Sequence, residues 1–224
     1  MHVEIWADVV CPWSYIGKRR FEAALRQFEH REVVSVTWRS FELDPDAPTG
    51  GGGGQAEHMA ALAGRYGIDE AEARLIESRV SALAAEEGLR YNPERPAPIN
   101  SFNAHRLVHL AASHGRQEEA VEALFHAYFI EGLSIADRDV LAKVGERVGV
   151  SAYETDDMLS SRALSLHVAE DQRIGVHHGL TGVPFFVLNR VVSVSGAQPV
   201  DTLVAMLRRG WDDEEASSKL AADL

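Results

Sequence analysis

Strand-like alternation occurs only near the two ends of this chain, and residues 55 to about 167 between them carry a helical pattern. At the N-terminus, His2-Val3-Glu4-Ile5-Trp6-Ala7 alternates and is rich in β-formers, so it reads as a strand ending near Asp8. Pro12 suits a first helical turn, where its missing N–H costs nothing. Residues 13 to 30 then place Tyr15, Ile16, Phe21, Leu25 and Phe28 at spacings that share one helical face. Val33 to Leu43 is a second strand, stopped by Asp44-Pro45-Asp46-Ala47-Pro48. At the other end, Phe185 to Leu188 and Val191 to Val194 read as strands joined by an Asn189-Arg190 turn. A last helix opens at Gly196-Ala197-Gln198-Pro199 and runs to about Arg209. Brought together, the two ends make one small sheet, and the middle becomes an inserted helical domain.

The helical block divides into segments 55–66, 69–87, 101–115, 117–131, 137–148 and 155–160, with 162–178 leading into the final strands. Asp137 reads as an N-cap, with Val140 opening the apolar face of the helix behind it. These signals give a discontinuous domain of residues 1–48 and 168–210, a helical insertion of residues 55–167, and a linker, 49–54, in the glycine run. The acidic, weakly patterned stretch 211–224 is expected to be a flexible, fraying tail.

Charge excludes some functions. A net charge of −12 and a pI near 5.3 argue against nucleic acid or an anionic membrane as partner. The one basic cluster, Lys18-Arg19-Arg20, reads as a solvated helix face. No apolar run approaches the ~20 residues that cross a bilayer, and the N-terminus lacks the charge-then-apolar order of a secretory signal. A single cysteine forms no internal disulfide, which fits a reducing cytoplasm.

That cysteine, Cys11, stands at the first strand-to-helix turn, directly before Pro12. Thiols react as thiolates, and the unpaired N–H groups and positive dipole end of a helix N-terminus favour negative charge. Ser14, one turn on, is placed to donate a hydroxyl hydrogen bond to the sulfur. The expectation is a lowered pKa and a reactive sulfur, against the plainer alternative of a buried structural cysteine. Far along the chain, Thr181-Gly182-Val183-Pro184 precedes a strand. A cis Val183–Pro184 bond there would turn the backbone of Val183 toward the reactive turn.

The segments "DVVCPWSYIGKRRFE" (8–22), "WRSFELDP" (38–45), "NSFNAHRLVHLA" (100–111), "LFHAYFIEGLSIADRDVL" (124–141), "GLTGVPFFV" and "VSGAQPV" resemble the FrnE-type group of DsbA-like oxidoreductases in the thioredoxin superfamily. The likeness implies an α/β thioredoxin-like fold, a central mixed sheet with a large all-helical insertion, a nucleophilic Cys11 and a cis Pro184. It also implies kinship with 2-hydroxychromene-2-carboxylate isomerases and kappa-class glutathione transferases.

Ser14 stands where a resolving cysteine would, and an alcohol is no thiol-exchange nucleophile. The resemblance is therefore narrowed to monothiol exchange through a mixed disulfide at Cys11, on a small thiol or disulfide or a protein disulfide. A low-molecular-weight thiol such as glutathione would be co-substrate, with no metal and no tightly bound cofactor. Two alternatives stay open: a thiol-dependent isomerase or transferase, and a degenerate peptide-binding module along Val183–Pro184. Kappa-type relatives hold the γ-glutamyl end with Gly-Ser-Asp where this chain has Gly196-Ala197-Gln198, so the hydroxyl and carboxylate are missing, although the helix start can still take a carboxylate.

The substrate-contacting candidates are Pro12, Trp13 at the rim, Val183, Pro184, Gly196, and Asn100 and His105 facing the sulfur from the helical domain. An equal reading of the last pair has Asn100 or Ser101 capping a helix and His105 packed in an interface. His105 and His109 share a helix face at metal-ligand spacing, but no third ligand is evident. His126, Tyr128 and Phe129 read as a core stripe.

Overall fold

A computed structural model describes residues 1–49 and 54–222, with side chains as far as Ala216. The glycine linker expected at 49–54 falls largely outside the described residues. Strand β1 (His2–Ala7) is central in a four-stranded sheet of order β2-β1-β3-β4. It pairs in parallel with β2 (Ser35–Ser40) and antiparallel with β3 (Phe185–Leu188), which turns back into β4 (Val192–Ser195). Helix α1 (Pro12–Gln27) makes the crossover that a parallel pair requires.

The alternation in β1 separates two buried faces. Val3, Ile5 and Ala7 join the large core beside Phe186 and Leu188, where α1 packs against α9 (Val200–Ala222). Trp6 belongs to a smaller cluster with Cys11, Leu180, Val183, Phe185 and Val187, beneath α8 (Ser165–His177). Its indole N–H donates to the Asp171 carbonyl at 2.7 Å. Glu4, on the same face, is buried and held by Arg39 at 2.6 Å.

The insertion contains α2 (Gln55–Tyr66), α3 (Glu70–Glu86), α4 (Phe102–Ser113), α5 (Gln117–Phe125), α6 (Arg138–Arg147) and α7 (Ala152–Ser160). A π-helical turn, His126–Ile130, follows α5. Tyr128 and Phe129 are core residues, whereas His126, expected in the same stripe, is exposed and meets Glu131 at 3.3 Å. Tyr15 of α1 stacks on Phe125 at 4.7 Å, and Tyr91 on Phe129 at 4.6 Å, so sheet unit and insertion share one aromatic core. Gln117 at the start of α5 reaches the outer edge of β2: its amide N–H donates to the Trp38 carbonyl and its amide oxygen accepts the Trp38 N–H, both at 3.0 Å.

Several boundaries differ from the sequence reading. The first helix ends at Gln27 because Phe28 leaves helical backbone and is buried. The second strand begins at Ser35, after a 3₁₀ turn (Arg31–Val33), and ends at Ser40. Helix α7 starts at Ala152 because Ser151 and Glu154 form a reciprocal capping box. Asp137 caps α6, accepting the Asp139 N–H at 2.8 Å. The expected tail is instead a continuation of α9, which runs to Ala222, with Trp211 stacked on His30 at 3.9 Å.

Lys18-Arg19-Arg20 is not a solvated face. Lys18 is only 3% exposed and pairs with Glu22, with Glu118 at 2.6 Å and with Glu122 at 3.1 Å. Arg19 pairs with Glu22 and Glu122, while Arg20 reaches Glu87 at 2.6 Å and the Ala197 carbonyl at 2.7 Å. These pairs bolt α1 to α5 and to the end of α3. Burial alone would raise the Glu122 carboxyl, but Arg19, Lys18 and the Tyr15 hydroxyl outweigh it and hold it down to about 2.

A folded-state pKa below the unfolded value of ~4.3 contributes stability above that value and loses it as pH falls toward 2. Glu122 is partly exposed, so Glu122→Gln is expected to cost about 1–2 kcal/mol at pH 7. The difference should shrink progressively below pH ~4, as read from denaturation midpoints at pH 7 and pH 3.

Candidate active site

The site is built where β1 runs into α1. Asp8 is buried and clamps the turn: its carboxylate accepts the Val10 N–H at 3.2 Å and the Leu43 N–H at 2.7 Å, and its carbonyl accepts the Cys11 N–H at 3.0 Å. Cys11 is the extended residue immediately before α1, and Pro12 is its first helical residue. Opposite stands the loop before β3, in which the Val183–Pro184 peptide bond is cis. The Cys11 thiol donates to the Val183 carbonyl at 3.6 Å. The Pro184 carbonyl accepts the Gly196 N–H at 2.8 Å, tying this loop to the segment before α9.

Two residues that the sequence reading passed over hold this arrangement. Gly17 faces Pro184 so closely that a Cβ there would lie 2.7 Å from the proline Cγ. A glycine inside a helical pattern commonly marks such a close approach. Tyr91, from the proline-rich break in the insertion, donates its hydroxyl to the Pro12 carbonyl at 2.8 Å.

Cys11 forms part of the wall of a cavity of about 210 Å³ between α1, the Val183 loop and the insertion. Pro12, Trp13 and Val183 line it, together with Leu62, Val80 and Phe129. So do buried His58 and Arg95 and half-buried Glu77, a charged group that motif reasoning gave no reason to expect. The Arg95 guanidinium lies beside the stacked Tyr91 and Phe129 rings, 5.5 Å from each centroid, and donates to Glu77 at 2.7 Å. Its Nε has no hydrogen-bond partner. Burial would raise Glu77, but His58 and Arg95 outweigh it and hold the carboxyl down to about 2. A larger hollow, about 650 Å³, beside β2 and α8 shares no lining residue with this cavity.

Asn100 and His105 do not reach the cavity. Asn100 accepts the Phe102 N–H at 3.0 Å as a cap and donates to the Pro45 carbonyl at 2.8 Å. His105 is buried, 3.1 Å from the Phe41 carbonyl and 3.6 Å from Asp8. His109 instead meets Asp171 at 3.0 Å and Ser40 at 3.1 Å, so the two imidazoles serve different partners. Gly196 also lies outside the cavity lining, with φ +82° and its N–H committed to Pro184.

The expected lowering of the Cys11 pKa is overturned. The thiol is pushed up to about 11, chiefly by burial. The Ser14 and Trp13 backbones and the Ser14 hydroxyl favour the thiolate, and the Asp8 carboxylate opposes it. Ser14 is fully buried, and its oxygen falls short of a properly formed hydrogen bond, which leaves it without a partner. The helix end works in the expected sense, but Cys11, 4% exposed beneath Leu180, Val183 and Phe185, loses more from desolvation than it gains.

Comparison with known proteins places this geometry. Residues 2–208 match the family model described as the DSBA-like thioredoxin domain. A probable DsbA oxidoreductase from Streptomyces coelicolor is 38% identical, with a TM-score of 0.88 over 95% of this chain and 90% of that one. The Bacillus subtilis protein YwbO is 26% identical over 90% of this chain and 92% of its own length. A 2-hydroxychromene-2-carboxylate isomerase, 18% identical with a TM-score of 0.66 over 100% and 97% of the two chains, shares the fold.

Burial predicts that the rate of Cys11 alkylation by iodoacetamide rises with pH through 9 without a plateau below it. Ser14→Ala should slow alkylation at pH 8 by about twofold to tenfold. Gly17→Ala should cost about 1–3 kcal/mol through overpacking. By displacing the Val183–Pro184 loop it should also speed alkylation at fixed pH.

Proposed function

The chain belongs to the DsbA-like thioredoxin family, and from that premise we propose that it is a thiol–disulfide oxidoreductase working through one sulfur, Cys11. One observation carries the proposal: the single cysteine lies against the Val183 carbonyl in the wall of a cavity, and the position one turn on holds a serine.

In this mechanism the Cys11 thiolate attacks one sulfur of a substrate disulfide. The Cys11 mixed disulfide forms, the old S–S bond breaks, and the displaced thiolate leaves with the proton that Cys11 gave up. Ser14 cannot release the adduct, so a second, external thiol attacks it and regenerates Cys11. A low-molecular-weight thiol, glutathione or one of similar size, fills that role, and a reducing cytoplasm supplies it. Ser14 and the N–H groups of residues 13 and 14 favour the thiolate as it forms. Val183 holds the sulfur opposite the incoming disulfide.

The raised thiol pKa also bears on how readily the adduct forms. Family oxidants such as DsbA are strong because their reduced thiolate is stabilised. Cys11 lacks that stabilisation. Formation of its mixed disulfide is therefore favoured relative to theirs, while the net direction of exchange follows the external thiol and the substrate disulfide. The retained thiol basicity favours nucleophilicity once the proton is lost.

The test is a glutathionylated peptide with excess free thiol, followed by intact mass. The expected result is a Cys11 adduct and catalytic release of peptide thiol, with turnover falling at least ~10³-fold in Cys11→Ser. Ser14→Cys should make adduct release independent of external thiol. Turnover unchanged by Cys11→Ser would overturn the mechanism, as would activity confined to a small-molecule isomerisation.

A further inference from the structure

The cavity beside Cys11 is unequal in its chemistry. Its walls are apolar along Val10, Pro12, Leu62, Val80 and Phe129. Three large side chains at its rim are exposed although apolar or aromatic: Trp13 at 36%, Tyr66 at 56% and Ile76 at 37%. Exposed hydrophobic surface gathered around a cavity marks a binding site rather than ordinary surface. Of the charged lining groups, His58, Glu77 and Arg95 neutralise one another inside the wall. Arg65 differs. It lies exposed among the lining residues and has no ion pair or hydrogen bond among the described residues. The orphan Nε–H of the buried Arg95 is a second donor lacking an acceptor.

We propose that this cavity holds the non-reacting half of a small thiol or disulfide that carries a carboxylate, its apolar body between Trp13 and Tyr66 and its anion on Arg65. Size limits the occupant. About 210 Å³ lies below the ~300 Å³ at which drug-sized sites begin, which suits a small organic group. Charge limits it too, because the two guanidinium groups of Arg65 and Arg95 outnumber the single carboxylate of the lining, Glu77. A cationic thiol would meet that excess unfavourably, and a neutral one would leave Arg65 unused.

The sulfur step rests on the exchange mechanism above, whereas the binding does not. For a disulfide R–S–S–R′ with R the anionic half, the Cys11 thiolate attacks the sulfur of R and a Cys11–S–S–R bond forms. R′–S⁻ leaves and takes up the proton. A second R–S⁻ then attacks the sulfur of R, releasing R–S–S–R and the Cys11 thiolate. The incoming thiol is oxidised and R′ is reduced.

Two measurements separate the layers. In Cys11→Ser protein, binding of 3-phenylpropionate and of neutral 3-phenylpropionamide is followed by indole fluorescence and calorimetry. The carboxylate should bind at least ~10-fold more tightly. In Cys11→Ser with Arg65→Gln that ratio should fall below ~3-fold, while the amide binds as before, which shows an intact pocket. Equal binding of acid and amide, binding of neither, or a ratio that survives Arg65→Gln would overturn the assignment. In wild-type protein, peptide mixed disulfides of 3-mercaptopropionate and 3-mercaptopropionamide are compared. Faster turnover of the acid supports the assignment, and equal turnover of both removes it while leaving exchange at Cys11 standing. If the acid is preferred in binding and neither disulfide turns over, the pocket assignment holds and the exchange mechanism falls.

Discussion

The close approach of α1 to Pro184 is the contact on which the site depends. It exists because residue 17 has no side chain to hold the two elements apart. With that gap closed, the Val183 carbonyl comes within hydrogen-bond distance of the Cys11 sulfur. The Gly196 N–H then anchors the proline carbonyl from behind. Two segments from opposite ends of the chain are thus fixed against each other by backbone geometry, with β1 and β3 paired beneath them. The sulfur needs no second cysteine to be positioned.

The same closure explains the chemistry of the thiol. A helix N-terminus, two backbone N–H groups and a hydroxyl all favour charge on Cys11, yet burial in the cluster with Leu180, Val183 and Phe185 removes the water that would favour it more. Where proteins bury ions elsewhere in this fold they supply counter-ions, as at Lys18 with its three glutamates and at Arg95 with Glu77. Cys11 receives none, and Asp8 nearby has the wrong sign. The site is therefore tuned toward a neutral, shielded resting sulfur.

Local patterning made much of this legible. The alternation of residues 2–7, Pro12 at a helix start, Asp137 as a cap and the proline before Phe185 each announce themselves within a few residues, and they suffice for the sheet, the crossover helix and the place of the cysteine. What stayed hidden depends on partners remote in sequence. Lys18 looks like a surface lysine until α5 brings Glu118 and Glu122 over it. The field of a helix end is local, whereas much of the apolar cluster that defeats it comes from Leu180, Val183 and Phe185. Asn100 and His105 sit in a stretch that suggests contact with substrate, but the loop from Phe41 to Pro48 occupies both. The acidic stretch after Arg209 has weak periodicity of its own, and Trp211 meets His30 from the turn that follows α1.

The amide of Gln117 bears on how this sheet ends. Both main-chain groups of Trp38 on the outer side of β2 are occupied by one side chain, in the pattern a neighbouring strand would use. An unfinished sheet margin invites a second polypeptide to add itself. Here the helical block supplies an imitation of that neighbour at Trp38, so these two main-chain groups are not on offer to another strand.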